Sequence, residues 1–194
     1  MANIDSPFGL IPVAHVGMTP NNGGQTQYSL ADNQSTAIFT GDPVTYKNDG
    51  TVEVADNTKA LCGVFGGCFY TDPTTSKPTW SPYFPATLSP GDAKGFIWDN
   101  PMQTFIVQQD SDSVNLLAAN LNENVNFVFG AGNTTTGISG VEIDSSSKAT
   151  TATHQARLIS FYDTPSNNTT ANNSIFVIKI NNHQLMGGTG TDGV

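Results

Sequence analysis

Basic residues are scarce in this sequence. Seven lysines and arginines stand against 16 aspartates and glutamates, so the 194-residue chain has a net charge of −9. Affinity for nucleic-acid phosphates comes mainly from clustered Lys and Arg side chains, so no nucleic-acid partner is expected. The chain has a single arginine, Arg157, and we expect it to pair with a carboxylate such as Asp163 or Glu142.

Long apolar segments are also lacking. No stretch approaches the roughly 20 apolar residues of a membrane-spanning helix, so no membrane contact is expected. Residues 1–10 have neither a basic start nor an apolar centre, which are the marks of a secretory signal. Synthesis and first folding are therefore expected in the cytoplasm.

Cysteine occurs only at positions 62 and 68. On an extended strand Cys62 and Cys68 would lie about 20 Å apart, so a disulfide would require the chain to fold back at Gly66 and Gly67. A zinc site needs four ligands at tight spacing, and the chain has no further cysteine. Two buried, reduced thiols are the expected state, and no metal or cofactor is expected.

The residues that are present favour β-structure. Charged residues make up only 12% of the chain, while 11 Phe, 5 Tyr and 2 Trp supply ample packing material. Short strand-like segments alternate with Gly, Pro and Asn, which is typical of an all-β protein. The sequence "PVTYKNDGTVEVA" predicts a hairpin that turns at Asp49-Gly50, because that dipeptide accepts positive φ angles. Gly41-Asp42-Pro43 is predicted to be the turn that enters this hairpin.

The pattern divides the chain into four parts. An extended N-terminal arm over residues 1–24 precedes a hairpin-rich β subdomain over residues 25–90. A second β subdomain with longer strands follows over residues 91–185, and residues 186–194 form a Gly-rich tail that is expected to be flexible. The expected architecture is a β-barrel, a β-tulip or a sandwich.

One short helix is predicted near residues 113–122. Asp112 or Ser113 can cap it, and three apolar residues share one face, namely Val114, Leu117 and Leu121.

Two apolar segments are predicted to make contacts with other molecules. The arm either packs on its own core or lies on a neighbour, and its contact candidates are Phe8, Leu10, Ile11, Pro12 and Val13. The segment "PTWSPYFP" over residues 78–85 contains three prolines, so it is predicted to be a covering loop or an edge strand. Its aromatic residues and the two at the end of the preceding strand form a cluster that is either a sugar-stacking platform, or a small core or subunit contact; the cluster contains Phe69, Tyr70, Trp80, Tyr83 and Phe84.

Residues 140–163 contain side chains that hydrolases use. His154 is the best candidate for a base, with Ser145, Ser146 or Ser147 as nucleophile and Asp144 or Asp163 as its partner. Their spacing matches no nucleophile elbow, and Glu142 with Asp144 reads as a solvated pair on a strand. Asp110 to Ser113, "DSDS", begins like a calcium loop but lacks the glycine and glutamate that such a loop needs downstream. We therefore expect no catalytic residue and no enzyme activity.

Several segments occur in an order that resembles the head decoration, or cement, proteins of tailed bacteriophages. These segments are "MANIDSPFGLIPVAH", "TGDPV…DGTV", "GVFGGCFYTDP…W…YFP", "FIWDNPMQTFIVQQD", "TTTGISGVEIDSS" and "RLISFYDTP…IFVIKINNHQ". Together they cover nearly the whole chain. At the position after Pro12-Val13 the chain has Ala14, where the resemblance leads one to expect arginine.

This resemblance implies a structural protein of the virion without enzymatic activity. Its partner would be the major capsid protein, bound on the outside of the capsid where subunits meet, and it would often form a homotrimer. The resemblance also implies a barrel or tulip fold. A carbohydrate- or receptor-binding module of the virion, using Trp80, Tyr83 and Phe84, is the alternative. In the decoration model, loss of residues 2–13 is expected to weaken capsid binding more than folding.

Overall fold

The computed structural model describes residues 2–17, 19–112 and 114–186. These residues form an all-β fold with one short 3-10 helix at Ala118–Asn120. In chain order the strands are β1 (Ile11–His15), β2 (Thr19–Pro20), β3 (Thr26–Leu30), β4 (Ile38–Phe39), β5 (Pro43–Tyr46), β6 (Thr51–Val54), β7 (Gly63–Thr71), β8 (Pro78–Ser81), β9 (Tyr83–Phe84), β10 (Lys94–Trp98), β11 (Gln103–Gln108), β12 (Asn124–Asn133), β13 (Ile138–Ala149), β14 (Ala156–Phe161) and β15 (Ile175–Ile180).

Five strands close into a barrel. They follow the order β10-β3-β6-β5-β7, and a further pairing of β10 with β7 joins the two ends, while β8 pairs with the outer side of β7. The predicted β5–β6 hairpin is confirmed, and Gly50 takes a φ of +85° at its turn. β8, which begins at Pro78 and is followed by Pro82, is an edge strand, as expected where prolines remove backbone N–H donors. The interior is an apolar cluster around Phe65, Phe84 and Ile97.

The remaining long strands form a second, curled sheet with the order β13-β12-β14-β15-β11-β1-β2. The chain just after β11 returns to β13, where the Asp110 N–H donates to the Ile143 carbonyl at 3.0 Å. The sheet thereby wraps around a second apolar core that includes Phe105, Phe127 and Phe176. A short pair, β4 with β9, lies beside these two sheets.

A junction at Thr40–Pro43 ties the barrel to the curled sheet and to the N-terminal arm. The Gly41 N–H donates to the Phe65 carbonyl at 2.8 Å, and the Gly41 carbonyl accepts from the Leu10 N–H at 2.9 Å. Gly41 has a φ of +95°, and a Cβ atom there would lie 3.1 Å from backbone atoms of Phe8 and Leu10. Glycine is therefore required at this turn both for its conformation and for space.

The helix expected near residues 113–122 is not formed as predicted; only the 3-10 turn at Ala118–Asn120 lies within that range. Side chains bind the backbone N–H groups that would open a helix, because Asp112 Oδ1 accepts from the Val114 N–H and Gln109 Oε1 accepts from the Leu116 N–H. Leu116 is buried while Leu117 is 45% exposed. Of the three residues predicted to share a face, Leu121 packs against the core and Leu117 does not. Ser113, the other capping candidate, lies outside the described residues.

The strands do not follow the four predicted parts. The arm contributes β1 and β2 to the curled sheet, with β1 paired to β11. β10, which was expected in the second subdomain, lies in the barrel between β3 and β7. Residues 187–194 of the predicted tail lie outside the described residues. Among the described residues no helix is long and apolar enough to cross a membrane.

Candidate functional site

The predicted contact residues of the arm divide between core and surface. Leu10 is only 1% exposed and belongs to the core of the curled sheet, so it is wrong as a surface contact. Its neighbour Ile11 is 43% exposed, and Phe8, Pro12 and Val13 are half-buried. The separation follows from strand alternation, since successive side chains point to opposite faces of a strand.

An apolar groove runs between the arm and β14. It has a volume of about 460 Å³. Val16, Ile159 and Tyr162 each expose a third or more of their surface along it. We call this surface the arm groove and define it by Val13, His15, Val16, Ile159, Phe161 and Tyr162.

The predicted aromatic cluster is not one surface. Phe84 is fully buried and Tyr70 is 7% exposed, so both are wrong as contact residues. Tyr83 is half-buried and stacks on Phe39, with ring centroids 5.4 Å apart. Trp80, at 60% exposed, is the most accessible member of the cluster.

The accessible partner of Trp80 is Phe69, which stands directly opposite it on β7 and is 43% exposed. This pair forms because the strand alternation of β7 shifts at Gly66 and Gly67. Phe65 and Cys68 are both buried in the barrel, so the two glycines between them lie outside, as in a β-bulge. A Cβ atom on Gly67 would lie 3.0 Å from Cζ2 of Trp80, so the indole covers the glycine backbone.

Three carboxylates that are far apart in the sequence come together beside β13. Oxygen atoms of Asp110, Asp112 and Asp144 all lie within 4.8 Å of one another. The Ser145 hydroxyl lies 2.6 Å from Asp110 Oδ1 and 2.9 Å from Asp112 Oδ1. Sequence reasoning missed this group, because Asp144 reaches the "DSDS" segment only through the contact between β13 and the end of β11.

The electrostatics of this region are unfavourable for charged carboxylates. Burial, together with the neighbouring Asp112 and Asp144, raises the pKa of Asp110 despite its hydrogen bonds from Ser145. Burial also raises the pKa of Glu142 to about 7, with Asp5 and Asp110 adding to the effect. The Glu142 Oε1 atom is buried and has no hydrogen-bond partner within the part of the chain that the structure describes.

The acidic cluster offers three oxygen ligands of the type that hard cations prefer. Calcium takes about six to eight such oxygens, so these side chains are an incomplete set. The hydrogen bonds of the Ser145 hydroxyl have a structural role. They connect β13 to Asp110 and Asp112 in the segment that follows β11. The cluster thereby fixes the curl of the second sheet.

The hydrolase candidates are engaged in other contacts. The hydroxyl of Ser146 donates to Asp144 Oδ1 and that of Ser147 donates to the Asp144 carbonyl, each at 2.6 Å. His154 Nδ1 lies 3.4 Å from the Asn124 carbonyl. These contacts are the local bonds of a turn and a strand, and they do not have the order nucleophile, base and orienting acid that a triad requires.

Cys62 and Cys68 are free and buried, as predicted. Burial raises the pKa of each thiol to about 12, so neither is a nucleophile near neutral pH. Arg157 donates from Nε to Asn124 Oδ1 at 3.0 Å. Its ion pair with Asp163 or Glu142 stays a prediction.

Comparisons with known proteins give no assignment. No family model matches the chain, and searches of the curated proteins and of the solved structures find no match. The class of this protein is therefore defined by its fold and surfaces alone, as an all-β protein whose described residues include an apolar groove and an exposed aromatic pair.

Proposed function

We propose that this protein is a capsid decoration protein that stabilises a bacteriophage head by bridging neighbouring major capsid subunits. The order of the segments along the chain suggests the function, and the arm groove is the observation that supports it. It is an apolar groove with a volume of about 460 Å³, on a chain in which only 12% of the residues are charged. Apolar surfaces of this kind, rimmed by polar residues, commonly mark protein contacts.

The arm groove suits a capsid contact because its walls come from elements held by different parts of the fold. Val13, His15 and Val16 belong to the arm, while Ile159 and Tyr162 belong to β14 and the residue after it. β1 is fixed by its ladder with β11, so the wall is ordered before any partner binds. A preformed surface loses little conformational entropy on binding.

Decoration requires only modest affinity at each contact. Neighbouring sites on a capsid lattice raise the effective concentration, so several weak contacts made by an oligomer add up to firm attachment. We expect a homotrimer on the capsid exterior, after synthesis in the host cytoplasm. A net charge of −9 keeps such a protein soluble before assembly.

The proposal is tested by charge substitutions in the arm groove. Val16 is 50% exposed and Ile159 is 37% exposed, so Val16→Asp and Ile159→Asp place a carboxylate in the groove without opening the core. We expect each variant to bind capsids about tenfold more weakly or worse, because a buried, unpaired charge is costly at an interface. Cosedimentation with capsids assembled from the major capsid protein of the same genome measures this.

Leu185→Asp is the matched control, since Leu185 is 57% exposed and is not part of the groove. It adds the same charge at an apolar surface residue and should bind as the unmodified protein does. Thermal melting by circular dichroism establishes that all three variants are folded. Full capsid occupancy by both groove variants would refute the proposed contact, and no capsid binding by the unmodified protein would refute the function.

A further inference from the structure

A second exposed surface lies on the barrel, and its composition differs from that of the arm groove. We call it the aromatic face and define it by Trp80, Phe69, Lys94, Ser29 and Thr51. These residues lie in one cross-strand row, because Trp80 is opposite Phe69, Phe69 is opposite Lys94, Lys94 is opposite Ser29, and Ser29 is opposite Thr51. Apolar rings form one end of the row and hydrogen-bonding groups form the other.

The aromatic end is flat and open on one side. The indole of Trp80 covers Gly67, so one of its faces rests on the backbone while the residue remains 60% exposed. A side chain at Gly67 would displace the ring, which explains the use of glycine at this bulge position. Phe69 extends the apolar surface by one strand.

The polar end offers hydrogen-bond donors and acceptors, and Lys94 gives it one positive charge. Lys94 Nζ donates to the Ser29 hydroxyl at 2.9 Å, which directs the ammonium group along the row. Ser29 and Thr51 supply hydroxyl groups next to it. Each strand spacing is about 4.8 Å, so the row follows the barrel surface for roughly 19 Å.

These features favour a saccharide as the ligand. A pyranose ring has one face of C–H groups and a rim of hydroxyl groups. The C–H hydrogens carry a partial positive charge, which is attracted to the negative face of an indole. A strip with rings at one end and hydroxyl and ammonium groups at the other complements a short, neutral oligosaccharide. We propose that the aromatic face is a binding site for neutral oligosaccharides, with Trp80 as the stacking residue.

The size of the apolar end argues against a protein partner. An aromatic side chain buries about 150–250 Å², so Trp80 at 60% exposure and Phe69 at 43% offer roughly 200 Å² in all. A stable protein interface buries about 800 Å² per partner. A contact between two copies through this face would meet the same shortfall in apolar area.

This site is independent of capsid binding, since it lies on the barrel while the arm groove lies on the curled sheet. Isothermal titration calorimetry with maltohexaose, cellohexaose, chitohexaose and mannohexaose tests it. We expect saturable binding of at least one of the four sugars. The intrinsic fluorescence of the folded protein should shift to the blue with the same midpoint, because Trp80 is one of only two tryptophans in the chain.

Variants locate the site. Trp80→Ala should weaken binding by at least about tenfold, since most of the stacking surface is lost. Trp80→Phe keeps an aromatic ring and should retain most of the affinity. Tyr162→Ala is the matched control, because it removes an exposed aromatic ring from the arm groove and should bind sugar normally. Melting curves should show that each variant is folded.

Three results would overturn the proposal. The first is the absence of saturable binding for all four sugars. The second is equal binding by Trp80→Ala and the unmodified protein, or an equal loss in Tyr162→Ala. The third is an oligomer that sediments as a monomer after Trp80→Ala, which would make the aromatic face a contact between copies.

Discussion

Asp42 shows how a single residue links the parts of this molecule. Its side chain is buried at the junction, where Oδ2 accepts from the Phe39 N–H at 2.7 Å and Oδ1 accepts from the Ser139 hydroxyl at 2.5 Å. Burial raises its pKa from 3.8 to about 6, although both hydrogen bonds act in the opposite direction. The junction therefore includes a carboxyl group whose ionisation costs more free energy in the folded state than in the unfolded state.

A pH dependence of stability follows from this pKa. The folded state binds the Asp42 proton more tightly than the unfolded state does. The resulting stabilisation of the folded state is complete below about pH 3.8 and is lost as the pH rises through about 6. At about 1.4 kcal/mol per pKa unit, the loss is roughly 3 kcal/mol. Asp42→Asn removes the titration, so the free energy of unfolding of the variant relative to the unmodified protein should rise between about pH 4 and about pH 7.5.

Urea unfolding at the two pH values measures this difference. Glu142, whose pKa is raised, and His183, whose pKa is lowered to about 4 by burial, titrate in both proteins and cancel in the comparison. Parallel pH profiles for Asp42→Asn and the unmodified protein would contradict the role of Asp42.

At the scale of elements, the N-terminal arm is the clearest case of a segment whose role depends on its neighbours. It was expected to matter more for capsid binding than for folding. In the structure β1 pairs with β11, and amide groups of Asn3 and Gln108 fasten the residues before it. Removing residues 2–13 would therefore remove part of the core together with part of the arm groove.

The two functions of the arm can be separated by neighbouring substitutions. Leu10→Ala should lower the free energy of unfolding by about 2–5 kcal/mol, because Leu10 is fully buried. Ile11→Ala, one residue away at 43% exposure, should cost less than about 1 kcal/mol. Denaturant unfolding of both variants is the measurement. If Leu10→Ala were no less stable than Ile11→Ala, the arm would not be part of the fold in solution.

At the scale of the whole molecule, the core of the barrel and the core of the curled sheet are joined by Trp98 and by the junction at Thr40–Pro43. Trp98 belongs to the barrel strand β10, yet it packs against the core of the curled sheet, and the junction joins both units to the arm. Because these connections are hydrogen-bonded backbone and packed rings, we expect the barrel not to open while the curled sheet remains folded.

The two thiols report on this cooperativity. Cys62 and Cys68 are 1% and 0% exposed, and burial raises both pKa values to about 12. In native buffer at about pH 8, both should therefore react with a thiol reagent only as fast as the protein unfolds globally. Labelling followed by mass spectrometry, with the urea-unfolded protein as the control, tests this. Rapid labelling of one thiol in the native protein would indicate independent opening of the barrel.

A good part of the fold could be predicted from local patterns. The all-β class, the hairpin at Asp49-Gly50, the edge position of β8 in the proline-rich segment and the free, buried thiols agree with the structure. Each depends on the chemistry of a few adjacent residues, such as the φ angle of glycine or the missing N–H of proline. The candidate surfaces were predicted less well, since Leu10, Tyr70 and Phe84 proved to be buried.

The sequence by itself determined that this chain forms short strands, because strand and turn preferences are properties of neighbouring residues. Only the tertiary structure decided which side chains face outward. The bulge at Gly66-Gly67 reverses the alternation of β7, so Phe69 is exposed and Tyr70 is buried. Partner strands set that register, and they also bring Asp144 to Asp110. Pairing between distant segments has no local signal, and in this protein it determines both exposed apolar surfaces.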